Sequence, residues 1–310
     1  MAMITRGLGN VFGLCTKALG SEQRINELML ADRTDAQIPR KFKKRFAIAQ
    51  EHVASMPTTY LRSRGATHNG YLMYLHGGAF VTPIIPAHWS VATSLVTQSD
   101  WTGCVPSYPL LPQAHADDVI SQLCELYRHL LRDRVPVVVA GDSAGAHLAI
   151  ALAHEIAALQ LTLPARLLLY SPWIDTTMET VSPDASVSLG DNVLDRNALA
   201  YIGQRWGNAG HADSHIKSCF DSARRADFPP TVIYQGGRDI LARDAMRFAA
   251  NLQAGGTCDV LYYKDAFHSF IGTPWLPESR HALRHSRQLL HDTSNRHLSN
   301  SGGEYQSRLS

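Results

Sequence analysis

Ser143 stands in Val137-Val138-Val139-Ala140-Gly141-Asp142-Ser143-Ala144-Gly145, a run that passes from branched aliphatics through G-x-S-x-G into an alanine-rich stretch. A serine hydroxyl is a weak nucleophile until a base takes its proton and a carboxylate orients that base. The run supplies the setting such chemistry needs. A buried strand ends, the chain turns sharply at the serine, and a helix begins, which lifts the hydroxyl above the strand ends. Gly141 and Gly145 let strand and helix close around the turn, and the helix N-terminus favours developing negative charge. Ser143 is therefore the expected nucleophile of an acyl transfer.

The elements that hold this turn are legible as short apolar runs alternating with helical patterns. Residues 71–75, 137–140, 166–170, 231–235 and 260–263 are β-rich and almost continuously apolar, as strands covered on both faces are. Helical patterns over 116–132, 144–160 and 244–252 fill the intervals. Alternation of this kind predicts a single α/β domain over 1–310, with a mostly parallel central sheet and helices on both faces. Two regions fall outside the alternation: residues 1–55, helical in pattern, and residues 176–215 of mixed character. Both are read as a helical cap over the strand ends. The tail 293–310, rich in Ser, Asn and Gly, is expected to be disordered.

A second motif, His76-Gly77-Gly78-Ala79-Phe80, follows the run 71–75 directly. With both motifs in this order, the sequence resembles the hormone-sensitive-lipase-like branch of the α/β-hydrolases, in which a His-Gly-Gly-Gly loop supplies oxyanion-hole amides and the nucleophile lies in Gly-Asp-Ser-Ala-Gly. Tyr108, Leu110 and Pro112 match the family's Asp-Tyr-Arg-Leu-Ala-Pro-Glu segment, while Ser107, Pro109 and Gln113 replace its charged residues. Tyr170-Ser171-Pro172-Trp173-Ile174-Asp175 matches a further strand-end segment, so the resemblance covers about residues 70–275. It implies the α/β-hydrolase fold, hydrolysis of small carboxylic esters and no cofactor. The oxyanion hole is then assigned to the amides of Gly77, Gly78 and Ala144, with Ala79 a departure from the third glycine.

In this fold the triad follows the chain order Ser, acid, His. Asp239, in Gln235-Gly236-Gly237-Arg238-Asp239, stands just after one strand run, and His268, in Asp265-Ala266-Phe267-His268-Ser269-Phe270, just after the next. They are the expected acid and base, with Asp244 and Asp265 as alternative acids. Asp142 is read as a structural brace pointing away from the nucleophile, and His76 as an anchor of the oxyanion loop. Among the 15 histidines, His147 and His154 read as surface or packing residues. His211 and His215, with Asp213 between, have a metal-compatible helical spacing but no third ligand, so no metal is expected.

Composition sets the remaining bounds. The formal net charge is +2, which offers no case for nucleic acid or an anionic membrane. The basic run Arg40, Lys41, Lys43, Lys44 and Arg45 reads as a solvated helix face. Five separated cysteines without a C-x-x-C pair argue against a disulfide framework or thiolate site and fit a reducing compartment. No apolar stretch reaches the roughly 20 residues that span a bilayer, and the N-terminus makes a poor signal core, so the expectation is cytoplasmic with no membrane insertion. The expected partner is a small-molecule ester; a homodimer is left open. Phe80 and Trp173 are candidates to wall a small pocket, and no long apolar lid stands out, which together favour short acyl groups. Two rival readings share the fold: a deacetylase or amidase on the same triad, and a non-catalytic small-molecule receptor.

Overall fold

Val137, Val138 and Val139 need cover on both sides, and the chain gives it by placing them near the middle of a sheet packed on two faces. The computed structural model describes residues 21–185, 189–191, 193–207, 219–222, 228–254 and 258–307. In chain order the elements are α1 (Glu22–Leu30), α2 (Arg40–Lys43), β1 (Phe46–Val53), β2 (Met56–Ser63), β3 (Gly70–Leu75), α3 (Pro86–Val96), β4 (Trp101–Pro106), α4 (Ala116–Leu130) and β5 (Val137–Asp142). There follow α5 (Ala144–Ala158), β6 (Arg166–Tyr170), α6 (Arg196–Trp206), α7 (Cys219–Ser222), β7 (Thr231–Gly236), α8 (Ala242–Gln253), β8 (Cys258–Tyr263) and α9 (Pro277–Ser307).

Among the described residues the strands form one sheet of eight in the order β1-β2-β4-β3-β5-β6-β7-β8. The pairs from β4 through β8 are parallel, and β1 and β2 join antiparallel at one edge. Side chains alternate between the two faces of a strand, and two apolar clusters result. Met73, Leu75, Val137, Val139, Leu167, Leu169 and Ile233 pack with α4, α5 and α8. Their neighbours Leu72, Tyr74, Val138, Ala140, Leu168, Tyr170 and Val232 pack with α3 and α9 on the opposite face. Each fully buried aliphatic of this kind contributes about 1.5–3 kcal/mol.

The structure departs from the sequence reading in two places. Residues 46–53, expected within a helical N-terminal segment, form strand β1, which pairs with β2 from Phe46↔Ser63 to Val53↔Met56. As an edge strand β1 is largely exposed, so it carries no apolar run. Its hairpin turn uses Ala54 and Ser55 at φ 51° and 62°, without the Asn or Gly that normally signals such a turn. Strand β4 is entirely buried, yet Gly103 and Pro106 obscure its pattern. The C-terminal helix α9 runs from Pro277 to Ser307. Ala282, Leu283, Ser286 and Leu290 anchor α9 to the core, and helix propagation from an anchored segment is far easier than nucleation. The basic run does form a short helix, α2, with exposed cations.

Residues 21–35 lie against the loops that follow β3 and β4 and against α6. Ile25 and Met29 of α1 are buried, and Tyr201 of α6 donates to Asn26 Oδ1 at 2.9 Å. Arg33 donates to Gln113 Oε1 at 2.8 Å, and Ser107 donates to Asp35. The N-terminal segment thus brings charges to two of the positions where the Ser107–Gln113 segment lacks them.

Candidate active site

The turn at Ser143 is strained in the way the elbow requires. Ser143 has φ 53° and ψ −116°, a region L-residues rarely occupy and one that costs on the order of 1–3 kcal/mol. The surrounding packing leaves no room for side chains. A Cβ on Gly145 would stand 2.0 Å from the Leu75 carbonyl oxygen, and one on Gly141 would stand 2.4 Å from Gly145 backbone. Strand β5, the start of α5 and the end of β3 are thereby pressed together beneath the serine.

Asp239 and His268, the expected acid and base, stand on the loops after β7 and β8. Asp239 is fully buried, while His268 and Ser143 expose 3% and 7%. His268 Nδ1 lies 2.9 Å from Asp239 Oδ2, and His268 Nε2 lies 2.9 Å from Ser143 Oγ. An ionised carboxylate only accepts, so Nδ1–H donates to Asp239 and the lone pair of Nε2 accepts from the Ser143 hydroxyl. Asp239 is itself fixed by the Leu241 amide at 2.9 Å and by Gln235 Nε2 at 3.0 Å. Burial pulls the His268 imidazole toward its neutral form; the charge and hydrogen bond of Asp239, with the charges of Asp191 and Asp142, outweigh it and raise the pKa. Asp244 instead pairs with Thr180 and Arg247, and among the described residues no bond joins Asp244 or Asp265 to His268.

The glycine loop differs from expectation at one residue. The Gly77 amide donates to Asp142 Oδ1 at 3.0 Å and is not free to face a reacting oxygen. The same oxygen accepts from the Tyr74 hydroxyl at 2.6 Å. Asp142 therefore braces the loop, with burial raising its pKa above the ordinary carboxylate range. Among the described residues no protein acceptor takes the amides of Gly78, Ala79 or Ala144. Gly78 and Ala79 adopt φ 114° and 51°, and both line the pocket, as Gly77 does not. The signal in the sequence was Asp142 itself, an acceptor beside the elbow that needs a donor. His76 holds the loop from beneath: its ring stacks on Tyr108 at 4.3 Å, and its Nδ1 lies 2.7 Å from the Gly77 carbonyl oxygen.

A pocket of about 70 Å³ opens over Ser143 and His268. Its wall is apolar, with Ile85 and Val91 on one side and Val193, Leu194, Leu199 and Ile271 on the others. Phe80 and Trp173 are not in it. Both are fully buried, and Phe80 stacks on Trp206 at 3.9 Å and on Trp173 at 5.5 Å, beneath the site. Among the described residues no cluster of His, Cys, Asp or Glu could hold a metal ion; His211, Asp213 and His215 lie outside the described residues. No helix among the described residues is long and apolar enough to cross a membrane.

Comparison with known proteins bears on this geometry. A curated esterase of Acinetobacter venetianus is 26% identical over 223 residues, covering 68% of this chain and 71% of the relative. An acetyl-hydrolase of Streptomyces hygroscopicus is 28% identical over 217 residues, covering 68% and 72%. A solved esterase from the bacterial hormone-sensitive lipase family superposes with a TM-score of 0.74 at 19% identity, over 90% of this chain and 98% of that one, a likeness of fold. The model of the α/β-hydrolase fold family matches residues 72–272, well over half of the sequence and the whole span from the glycine loop to the base. The chain belongs to the α/β-hydrolase fold family.

Proposed function

We propose that this protein is a carboxylic ester hydrolase that acts on short-acyl esters through Ser143, His268 and Asp239. The observation that carries the reading is the continuous hydrogen-bond path from Ser143 Oγ through both ring nitrogens of His268 to Asp239, at 2.9 Å for each link, on the floor of an apolar pocket. His268 takes the Ser143 proton as Oγ attacks the ester carbonyl. Asp239 holds the ring in the tautomer that can accept and stabilises the imidazolium. The amides of Gly78, Ala79 and Ala144 receive the oxyanion, each donor contributing about 2.7–4 kcal/mol at the transition state. His268 returns the proton to the leaving alcohol, and water then cleaves the acyl-enzyme by the same steps.

The size of the pocket supports short acyl groups. A cavity of about 70 Å³ with apolar walls suits a small acyl group. Val193, Leu194 and Leu199, from the segment before and within α6, roof this space, which supports the reading of that segment as a cap. The relatives' names, esterase and acetyl-hydrolase, point the same way. Buried free thiols at Cys104, Cys124, Cys219 and Cys258 support a reducing, cytoplasmic setting.

Fluorophosphonate labelling with p-nitrophenyl acetate turnover tests the reading and separates an enzyme from a receptor. The wild-type chain should label and turn over, Ser143→Ala should do neither while remaining folded, and His268→Ala should be about as inactive, since the three groups act as a unit. Asp239→Asn should lose about 10⁴-fold in kcat through the wrong tautomer. A folded Ser143→Ala variant that retains wild-type turnover overturns the assignment.

A further inference from the structure

The loop before α6 carries a carboxylate that this reaction scheme does not use. Asp191 is only 6% exposed. Its Oδ1 accepts from the amides of Val193 at 2.8 Å and Leu194 at 3.0 Å, which fixes its own loop. Its Oδ2 accepts from the Ile240 amide at 2.9 Å, and Ile240 directly follows Asp239. Alongside, Arg238 Nη2 donates to the Gly190 carbonyl at 3.0 Å. Gly190 sits at φ 63°, a conformation that side-chain-bearing residues rarely adopt. Gly190 and Asp191 therefore hold the loop of Asp239 at the residues on either side of it, and two of the residues that Asp191 orders, Val193 and Leu194, are pocket wall.

We propose that Asp191 is a positioning residue of the triad, tying the pocket wall at Val193 and Leu194 to the loop of Asp239. Seating an ester against that wall and aligning Asp239 on His268 then become one event. The inference rests on the ester-hydrolase reading above. Asp191 also lies within electrostatic reach of His268, where its charge favours the protonated ring. The charged groups that face His268 are Asp239 from the β7–α8 loop, Asp191 from the loop before α6, and Asp142 from the end of β5, with the neutral Ser143 hydroxyl at Nε2. Burial and the Asp239 charge push the Asp191 carboxyl above the ordinary range, and its own charge in turn favours the protonated ring.

Asp191→Asn tests this. The amide oxygen can still serve Val193 and Leu194, but an NH2 group replaces the acceptor for Ile240 and the charge is gone. The expected result is a kcat lowered about 10- to 100-fold, the range of a small misplacement at a reacting centre, with little change in KM. The acid limb of kcat/KM should move to lower pH, because a charge favouring protonated His268 has been removed. Asp191→Glu should restore the wild-type position of that limb. If the Asn variant does not fold, Asp191→Ser, which keeps an acceptor for its own loop but loses the charge and Ile240, carries the same expectation. A folded variant with unchanged kcat and an unmoved acid limb overturns the proposal, as does activity lost only in proportion to the folded fraction. Wild-type protein that neither labels with fluorophosphonate nor turns over ester overturns both readings; competent wild-type protein matched by Asp191→Asn overturns this one alone.

Discussion

Replacing Asp142 by alanine would separate support of the oxyanion loop from the chemistry itself. Its Oδ1 is the acceptor for two buried donors, the Tyr74 hydroxyl at 2.6 Å and the Gly77 amide at 3.0 Å. An unsatisfied buried donor costs about 1–3 kcal/mol, so Asp142→Ala should lose roughly 2–6 kcal/mol, less whatever is recovered by removing a desolvated carboxylate. That is a large share of the about 5–15 kcal/mol that holds a domain folded. The catalytic consequence is larger in relative terms. Without its acceptor the Gly77 peptide can turn, and the Gly78 and Ala79 amides turn with it; loss of one oxyanion donor corresponds to about 10²–10³ in kcat. Asp142→Asn keeps an oxygen where both donors point and should stay within a few-fold of wild type in kcat/KM and close to it in Tm. The assays are thermal unfolding by circular dichroism and kcat/KM on p-nitrophenyl acetate. An alanine variant with wild-type Tm and kcat/KM would refute the bracing role, and an asparagine variant as damaged as alanine would show that the charge, not the acceptor geometry, matters.

Two further expectations follow from the pocket and from the buried imidazoles. In a p-nitrophenyl series from acetate to palmitate, kcat/KM should peak at or below butyrate, because overpacking a small pocket costs about 1–3 kcal/mol, or roughly 5- to 150-fold in rate; a maximum at long chains would refute this. His76, His88 and His147 are held neutral by burial, each with a pKa lowered from 6.5 to about 4. The unfolded chain binds more protons at these sites between those limits, so their contribution to stability falls as pH drops from about 6.5 toward 4, against the opposite contribution of the raised carboxyls of Asp142, Asp191 and Asp244; His147→Gln should weaken the loss of Tm across that window, and an unchanged pH profile of Tm would contradict it. His268 is shifted the other way, so the acid limb of wild-type kcat/KM should lie above the usual 6.5 of a histidine; a limb below that value would refute the charge arrangement around the base.

The residues proposed as nucleophile, base and acid are legible because each sits at the end of a strand whose apolar run declares itself locally. Ser143 between Gly141 and Gly145, Asp239 after Thr231–Gly236 and His268 after Cys258–Tyr263 need only short-range pattern and chain order to be found. The same holds for the parallel half of the sheet, where burial on both faces forces continuous hydrophobicity. What lay beyond the sequence depends on contacts between distant segments. The β1–β2 hairpin sits at an exposed edge with Ala54 and Ser55 in its turn, so neither composition nor turn residues mark it. Phe80 and Trp173 have side chains fit for a pocket wall, and only the stacking of Phe80 on both Trp173 and Trp206 decides that they are core. Gly77 and Gly78 look equivalent in a motif, yet Asp142, 65 residues away in the chain, claims the first amide and leaves the second. Asp191 belongs to no motif at all; its meaning comes from lying against Ile240, 49 residues further on. Local sequence fixes a strand, an elbow and a candidate side chain, whereas which donor is already satisfied and which carboxylate feels another charge are properties of the assembled neighbourhood. Hydrogen bonding and burial act across space and not along the chain.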